Sequence, residues 1–470
     1  MSETENKNST SNIQHYLRLL PSVDKILKHP EIHNLSDNHS HAVVKESVKE
    51  VIEKLRNEIL RGATIEIDEQ SIIDRVKNAL KKKQRYSLIP VINATGVVIH
   101  TNLGRAILPE EAVRHVVEVA TSYSNLEYDL EKGQRGKRYT HVIDAIKRLL
   151  NVESAVVVNN NAGAVFLSLN TLAKGKEVIV SRGELVEIGG SFRIPDVMAH
   201  SGAILKEVGT TNKTKINDYK NAINENTSLL LKVHRSNFRI IGFTEEVSIN
   251  ELVELGRQRG IPVMVDLGSG CFIDMKKYGL EEQTVQEVLK EGADLVTFSG
   301  DKLLGSAQAG FIIGKEELVE KISKNPLMRA LRVDKMTLAA IEATLRLYLD
   351  EETALKKIPT LRMITEPVEF IKKRAMKIAR ILKKQGVFAE IKEDVSMPGG
   401  GSLPEFGIKT YVVAIKPKII PQDFTKKLRE TEPPVIARIK DDFVIFDTRT
   451  VQDHEISLLV RAVKSVMTSL

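Results

Sequence analysis

ADLVTFSGDK, residues 293–302, runs from an apolar stretch through a Ser-Gly pair to an acid and a lysine. Apolar residues on both alternating faces of such a stretch mark a strand buried on both sides. Six further runs of this kind lie around it: SAVVVNN (154–160), EVIVS (177–181), AILKEV (203–208), SLLLKVH (228–234), PVMVDLGS (262–269) and AGFIIG (309–314). Helical stretches separate them, so the expectation is an α/β fold whose mainly parallel sheet is covered on both faces. Such sheets bind ligands beyond the carboxyl ends of their strands. The polar residues gather at those ends: Asn159-Asn160-Asn161, His234, Asp266 and Ser299-Gly300-Asp301-Lys302.

Outward from this centre, taken as residues 91–345, the pattern changes. Residues 15–32 read as short helices broken at Pro21 and Pro30, and 42–60 place Val44, Val48, Val51, Ile52, Leu55 and Ile59 at helical spacing. With a further helix over SIIDRVKNALKKKQR, residues 1–90 form a small all-helical domain ending at Pro90. A helix over 336–358 leads into residues 346–470, read as a small α+β domain. That domain has a helix near 366–385, a turn-rich Pro398-Gly399-Gly400-Gly401 loop, and strands at 408–415 and 434–447.

The 470 residues carry a net charge of +7, placed on the flanks. Residues 1–90 hold 15 Lys and Arg against 13 Asp and Glu, and residues 346–470 hold 23 against 17. Basic flanks suit a polyanionic partner, although solvated surface lysine is the plainer reading. The leader MSETENKNSTSNIQ is polar and no window offers the roughly 18 apolar residues of a membrane span, so neither secretion nor a membrane partner is expected. A single cysteine, Cys271, excludes an intramolecular disulfide framework and a cysteine-rich metal site, and suits the cytoplasm.

A lysine held at the end of an apolar strand, as Lys302 is, has its proton affinity lowered and can form a Schiff base with a carbonyl cofactor. Asp266 ends a second apolar strand, where a pyridinium nitrogen is the partner an acid supplies in pyridoxal phosphate enzymes; a turn aspartate beside Gly268 is the plain alternative. Asn161, Ala162 and Gly163 open a helix after a strand, with small residues that let a phosphate reach backbone N–H groups, and the Ser299 hydroxyl can join them. A phosphate cup, a strand-end acid and a later Ser-x-x-Lys follow the chain order of aspartate-aminotransferase-type enzymes.

Longer blocks carry a sharper likeness. INATGVVIHTNLGRA (92–106), YDLEKGQRGKR (128–138), VVVNNNAGAV (156–165), EVGTTNKT (207–214), VDLGSG (265–270) and SGDKLLG (299–305) resemble the bacterial selenocysteine synthase family, the L-seryl-tRNA(Sec) selenium transferases. LLPSVDKIL (19–27) and GGGSLPE (399–405) resemble that family's terminal domains. Ser306-Ala307 departs from the family's usual Gly-Pro.

The resemblance implies an aspartate-aminotransferase-like, fold type I transferase that uses pyridoxal 5′-phosphate. By similarity Lys302 is the Schiff-base lysine, Asp301 an acid beside it and Asp266 the partner of the pyridine nitrogen. Arg105, Arg329 and Arg332 match active-site arginines suited to a phosphate-bearing selenium donor, selenophosphate. Thr210, Thr211 and Asn237 fall in motifs that line the pocket. His234 reads equally as a ring-stacking residue or as a core histidine. The implied reaction replaces the serine hydroxyl of seryl-tRNA(Sec) with selenium, in a homo-oligomer of dimers set in a ring, with residues 1–90 contacting the tRNA and no role for DNA. Two alternatives stand beside it: a lyase acting on phosphorylated amino sugars without RNA, and a non-catalytic RNA-binding scaffold.

Overall fold

The computed structural model describes residues 13–61, 68–188, 192–235, 238, 240–399 and 407–468. It divides into two compact units, Met1–Pro90 and Val91–Leu470. In the first, helices Val23–Leu27, Pro30–Asn38, His41–Leu60 and Glu69–Gln84 enclose Ile26, Ile32, Val48, Ile52, Ile73 and Val76. The helices break at Pro21 and Pro30 as expected, and Pro30 opens the next one, because the first helical turn needs no N–H from it. Side-chain oxygens of Ser22 and Asp68 cap the backbone N–H groups of Lys25 and Ser71.

The second unit contains the expected sheet. Its seven strands run across it in the order Ser154–Val158, Gly310–Gly314, Leu295–Ser299, Val263–Gly268, Thr227–Val233, Glu177–Ser181, Ile204–Val208. Six are parallel, and Gly310–Gly314 lies antiparallel to both its neighbours. One face packs Val157, Ile179, Leu230, Val265 and Val296; the other packs Val156, Val180, Leu231, Met264 and Leu295. Residues adjacent in sequence thus enter opposite cores, which is why these strands read as continuous apolar runs.

The antiparallel strand touches the future site. A Cβ on Gly310 would stand 2.1 Å from the Asn160 carbonyl oxygen and 2.8 Å from the Asn161 nitrogen, both backbone atoms that cannot swing away. Gly310→Ala is therefore expected to destabilise the chain by about 1–3 kcal/mol, read as a lower urea midpoint; an unchanged midpoint would refute this packing.

A second sheet follows the order Ile92–Ala94, Val435–Lys440, Phe443–Asp447, Ile408–Ile415, Glu390–Gly399, Val97–Ile99. Here the sequence reading needs three corrections. Pro398 and Gly399 end a ten-residue strand instead of a turn: Met397 and Gly399 pair with Val97 and Ile99, and Pro398 falls between them, where no N–H is called on. Residues 434–447 form a hairpin, turned by Asp441 and Asp442 at φ 49 and 63. The helix expected over 336–358 breaks into Lys335–Leu347 and Glu351–Lys357, because the Asp350 carboxylate caps Thr353 N–H. Gly400 to Phe406, most of the GGGSLPE block, lie outside the described residues. Among the described residues no helix is long and apolar enough to cross a membrane.

Candidate active site

Parallel pairing sets the site. Val233 registers with Asp266, and Asp266 with Thr297, so three neighbouring strands deliver His234, Asp266 and Ser299 to one edge. The chain then turns tightly. Gly300 N–H donates to Ala309 O, Ser306 N–H to Gly300 O and Leu303 N–H to Ser269 O, which closes residues 300–309 around Asp301 and Lys302. Ser306, the departure from the family pattern, is buried within this turn. Asp266, Asp301, Lys302 and Ser299 are all at most 7% exposed.

Asp266 Oδ1 accepts from Asn161 Nδ2 at 2.8 Å and from the Thr297 hydroxyl at 3.1 Å. Both bonds fall on one oxygen, which leaves Oδ2 able to accept a ligand N–H. Burial raises the proton affinity of this carboxyl; the two hydrogen bonds and Lys302 act against it. Lys302 shows the complementary effect, its proton affinity lowered by burial and secondarily by Arg105, while Asp266, Asp301 and Glu282 hold it up. A Cβ on Gly268, at φ 73, would lie 3.9 Å from Lys302 Nζ, so the absent side chain keeps the approach to the amine open.

Arg105 reaches Asp301 from the other sheet's leading segment. It follows Gly104, has a φ of 63, and donates from Nη1 to Asp301 Oδ2 at 2.7 Å. The unused guanidinium donors remain for an anion, since a single N–H is spent on Asp301. His234 donates its backbone N–H to Asp266 O, and burial, then Lys232, pulls the imidazole down to about 4, so it is neutral at physiological pH.

The helix Asn161–Leu172 begins beside Asp266, with Ala162 and Gly163 in its first turn. Asn160 Oδ1 accepts the Gly163 N–H at 2.7 Å. Gly163 contributes space: a Cβ there would meet Asn159 Oδ1 at 3.1 Å and the Leu331 side chain at 3.4 Å.

The remaining residues stand farther out. Arg329 and Arg332 are exposed on the rim, in a segment held to the site by Asn159 N–H donating to Leu331 O. Arg332 lies 3.8 Å from Glu127, which Arg138 also binds. Thr210 and Thr211 follow the edge strand Ile204–Val208, three strands from that of Asp266, or about 14 Å at ordinary strand spacing. Asn237 lies outside the described residues.

Two residues of the site were not foreseen. Thr297 was legible as a polar side chain inside an apolar strand, on the same face as Ser299. Glu282, 1% exposed and pushed up to about 7 by burial against the pull of Ser269 and Lys302, carries no signal that separates it from Glu281.

The donor set fits pyridoxal phosphate: a buried acid with a free oxygen for a ring nitrogen, a buried amine for its aldehyde, and a helix start for its phosphate. Asn161 Oδ1 is also buried without a hydrogen-bond partner, as expected of a polar atom that a bound group would satisfy.

Comparison with known proteins agrees. The family model described as L-seryl-tRNA selenium transferase matches residues 91–452, and that for the selenocysteine synthase N-terminal region matches 17–56. The L-seryl-tRNA(Sec) selenium transferases of Caldanaerobacter subterraneus subsp. tengcongensis and Alkaliphilus metalliredigens are each 50% identical, covering 96% of this chain and 98% of their own. The solved structure of D-glucosaminate-6-phosphate ammonia-lyase, 18% identical, overlays with a TM-score of 0.56 over 81% of this chain and 96% of that one. That likeness speaks to the fold alone, an α/β architecture built on the seven-stranded, mainly parallel sheet. By a family match over most of its length and half-identity to those relatives, the chain belongs to the L-seryl-tRNA selenium transferase family.

Proposed function

We propose that this chain converts seryl-tRNA(Sec) to selenocysteinyl-tRNA(Sec), with pyridoxal 5′-phosphate as cofactor and selenophosphate as selenium donor. The observation that carries the reading is the buried pair Asp266 and Lys302, an acid and an amine at neighbouring apolar strand ends with opposed shifts in proton affinity. Bound there, the cofactor supplies an electron sink for the charge left at the serine α-carbon. Asp266 orients the ring through its nitrogen, and Asn161 and Ala162 hold the phosphate. Lys302 is the attachment point and then, with its proton affinity lowered by burial, the base that takes the serine α-proton. Asp301 fixes Arg105, whose other donors, with Arg329 and Arg332, bind the phosphate of the selenium donor. Thr210, Thr211 and Asn237 belong to the wider pocket wall.

Residues 1–90 contact the body of the tRNA, and the chain works in the cytoplasm as dimers assembled into a ring. A polyanionic substrate is supported by the helix Val368–Lys384, where Lys377, Arg380, Lys383 and Lys384 have no acidic partner among the described residues. The lyase reading shares only a fold at 18% identity and is set aside.

The test is the visible absorption of the chain loaded with pyridoxal phosphate, before and after addition of seryl-tRNA(Sec). The expected result is a band that the aminoacyl-tRNA shifts, and that deletion of residues 1–90 preserves while weakening its response. A band indifferent to seryl-tRNA(Sec) would defeat the substrate assignment; no band would defeat the cofactor.

A further inference from the structure

Glu282 sits between the turn Lys276–Tyr278 and the helix Val285–Lys290. That segment is tied inward by Val285 N–H donating to Cys271 O and by the Gln286 side chain donating to Phe272 O. The carboxyl is thereby carried into the interior, where neither oxygen has a hydrogen-bond partner among the described residues. Beside it, His234 Nδ1 shares this condition, while the Ser269 hydroxyl stands close enough to lower the carboxyl's proton affinity without closing a full hydrogen bond. A buried carboxyl left unbonded is strongly unfavourable, so Glu282 and His234 Nδ1, side by side in this state, call for a common explanation.

The distances supply it. Glu282 Oε1 lies 4.0 Å from His234 Nδ1, about 1 Å beyond hydrogen-bond contact, a gap that a small rotation of the partly exposed imidazole would close. His234 is itself bound through its backbone to the carbonyl of Asp266.

We propose that Glu282 is a positioning residue: its protonated carboxyl donates to His234 Nδ1, which keeps the imidazole proton on Nε2 and fixes the ring beside the Asp266–Lys302 pair. The inference rests on the cofactor reading above for its purpose, though not for its geometry. The groups facing Glu282 are Lys302 from the 300–309 turn, His234 from its strand end, and Ser269 and Cys271 from the segment after Gly268; Lys232, Arg235 and Glu246 face His234 from the far side. Burial keeps the Cys271 thiol protonated and the imidazole neutral, so among Glu282, His234 and Cys271 only Glu282, at about 7, changes charge near neutral pH. Below that value the acid holds its proton. Above it the carboxylate takes over as acceptor, and the imidazole proton moves to Nδ1.

The competing role is that of a negative counter-charge for Lys302, and a glutamine separates the two. Its amide donates to Nδ1 as the protonated acid does and carries no charge. Nitrogen-15 histidine spectra of the cofactor-free full chain, assigned with a His234→Asn variant, should show the His234 proton on Nε2 at pH 6 and its transfer to Nδ1 as pH rises through about 7. Glu282→Gln should hold the pH 6 pattern throughout, and Glu282→Leu should give a mixture at every pH. In the loaded chain Glu282→Gln should bind pyridoxal phosphate within about twofold of the parent, and Glu282→Leu about tenfold more weakly. Gln behaving like Leu in both measurements would overturn the proposal in favour of a counter-charge. A His234 pattern indifferent to both variants would overturn it in favour of independent groups satisfied by water. Failure of the parent chain to bind the cofactor would count against the proposed function, while the cofactor-free spectra would still decide this inference.

Discussion

Lys302→Ala is expected to remove the visible absorption band of the loaded chain and to lower turnover by about 10⁴-fold or more, as loss of an attachment point and a base together implies. Lys302 is 6% exposed, and burial is the first cause of its lowered proton affinity, with the Arg105 guanidinium acting in the same direction. Asp266, Asp301 and Glu282 oppose both, which keeps the group within reach of either protonation state. An amine so placed gains basic, uncharged character at a lower pH than an exposed lysine. Activity should therefore rise with pH through the lowered value of Lys302 and level off before the ordinary lysine range. The substitution should leave folding nearly intact. The native state holds this cation against an unfavourable burial term, so its removal takes away a burden along with the attraction to the nearby acids. A folded alanine variant that keeps the band or full turnover would show that Lys302 is not the attachment point, and one that unfolds would contradict the expected tolerance of the fold.

What was legible in the sequence follows from how each element is buried. Most of the central strands are covered on both faces and bounded by Gly, Pro and polar residues, so they appear as apolar runs whatever their partners; the edge strand Ile204–Val208, with Lys206 and Glu207 inside it, is the exception. Their ends were equally readable, because a carboxylate or an amine just after such a run has no ordinary solvent role. Elements stabilised by distant partners were not. Ile92–Ala94 and Val97–Ile99 are three residues each, too short for any period, and pair with strands that lie about 300 residues or more downstream. Glu390–Gly399 carries three charged residues in a row, Lys392-Glu393-Asp394, and ends in Pro-Gly, which locally spells a turn; its strand character comes from Ile408–Ile415 and Val97–Ile99 on either side. At the site, the Asn160 cap on Gly163 was hidden because three consecutive asparagines offer the same side chain, and only the helix start decides which one serves. Glu282 is the extreme case. Its neighbours in sequence are polar, and its burial results wholly from how the following helix docks.

Asp266→Asn is expected to move stability and activity in opposite directions. The asparagine keeps a carbonyl oxygen where Asp266 Oδ1 accepts from Asn161 and Thr297, so the local hydrogen bonds and the strand register survive. It loses the charge, and burial is the first cause of the raised proton affinity of this carboxyl. A folded-state value above the unfolded one means that the group's contribution to stability is fully present below the unfolded value and is lost as pH rises through the folded value. At neutral pH the native chain therefore carries the deficit of a buried carboxylate, relieved in part by Lys302. The asparagine variant should unfold at a higher urea concentration at pH 7, and the gain should shrink toward zero as the medium is acidified and the native acid takes up its proton. Turnover should fall by about 10²–10³-fold, the usual effect of deleting one fixed electrostatic partner of a developing charge, because a neutral amide cannot hold the ring nitrogen in its cationic form. Lys302 would at the same time lose an acid that supports its proton, shifting the rising limb of the pH–rate profile to lower pH. A variant less stable at pH 7 than at acidic pH relative to the parent would contradict the burial argument. Turnover left within a few-fold of the parent would remove Asp266 from its assigned place at the ring, because a residue held at that strand end at the expense of stability is explained only by what its charge does there.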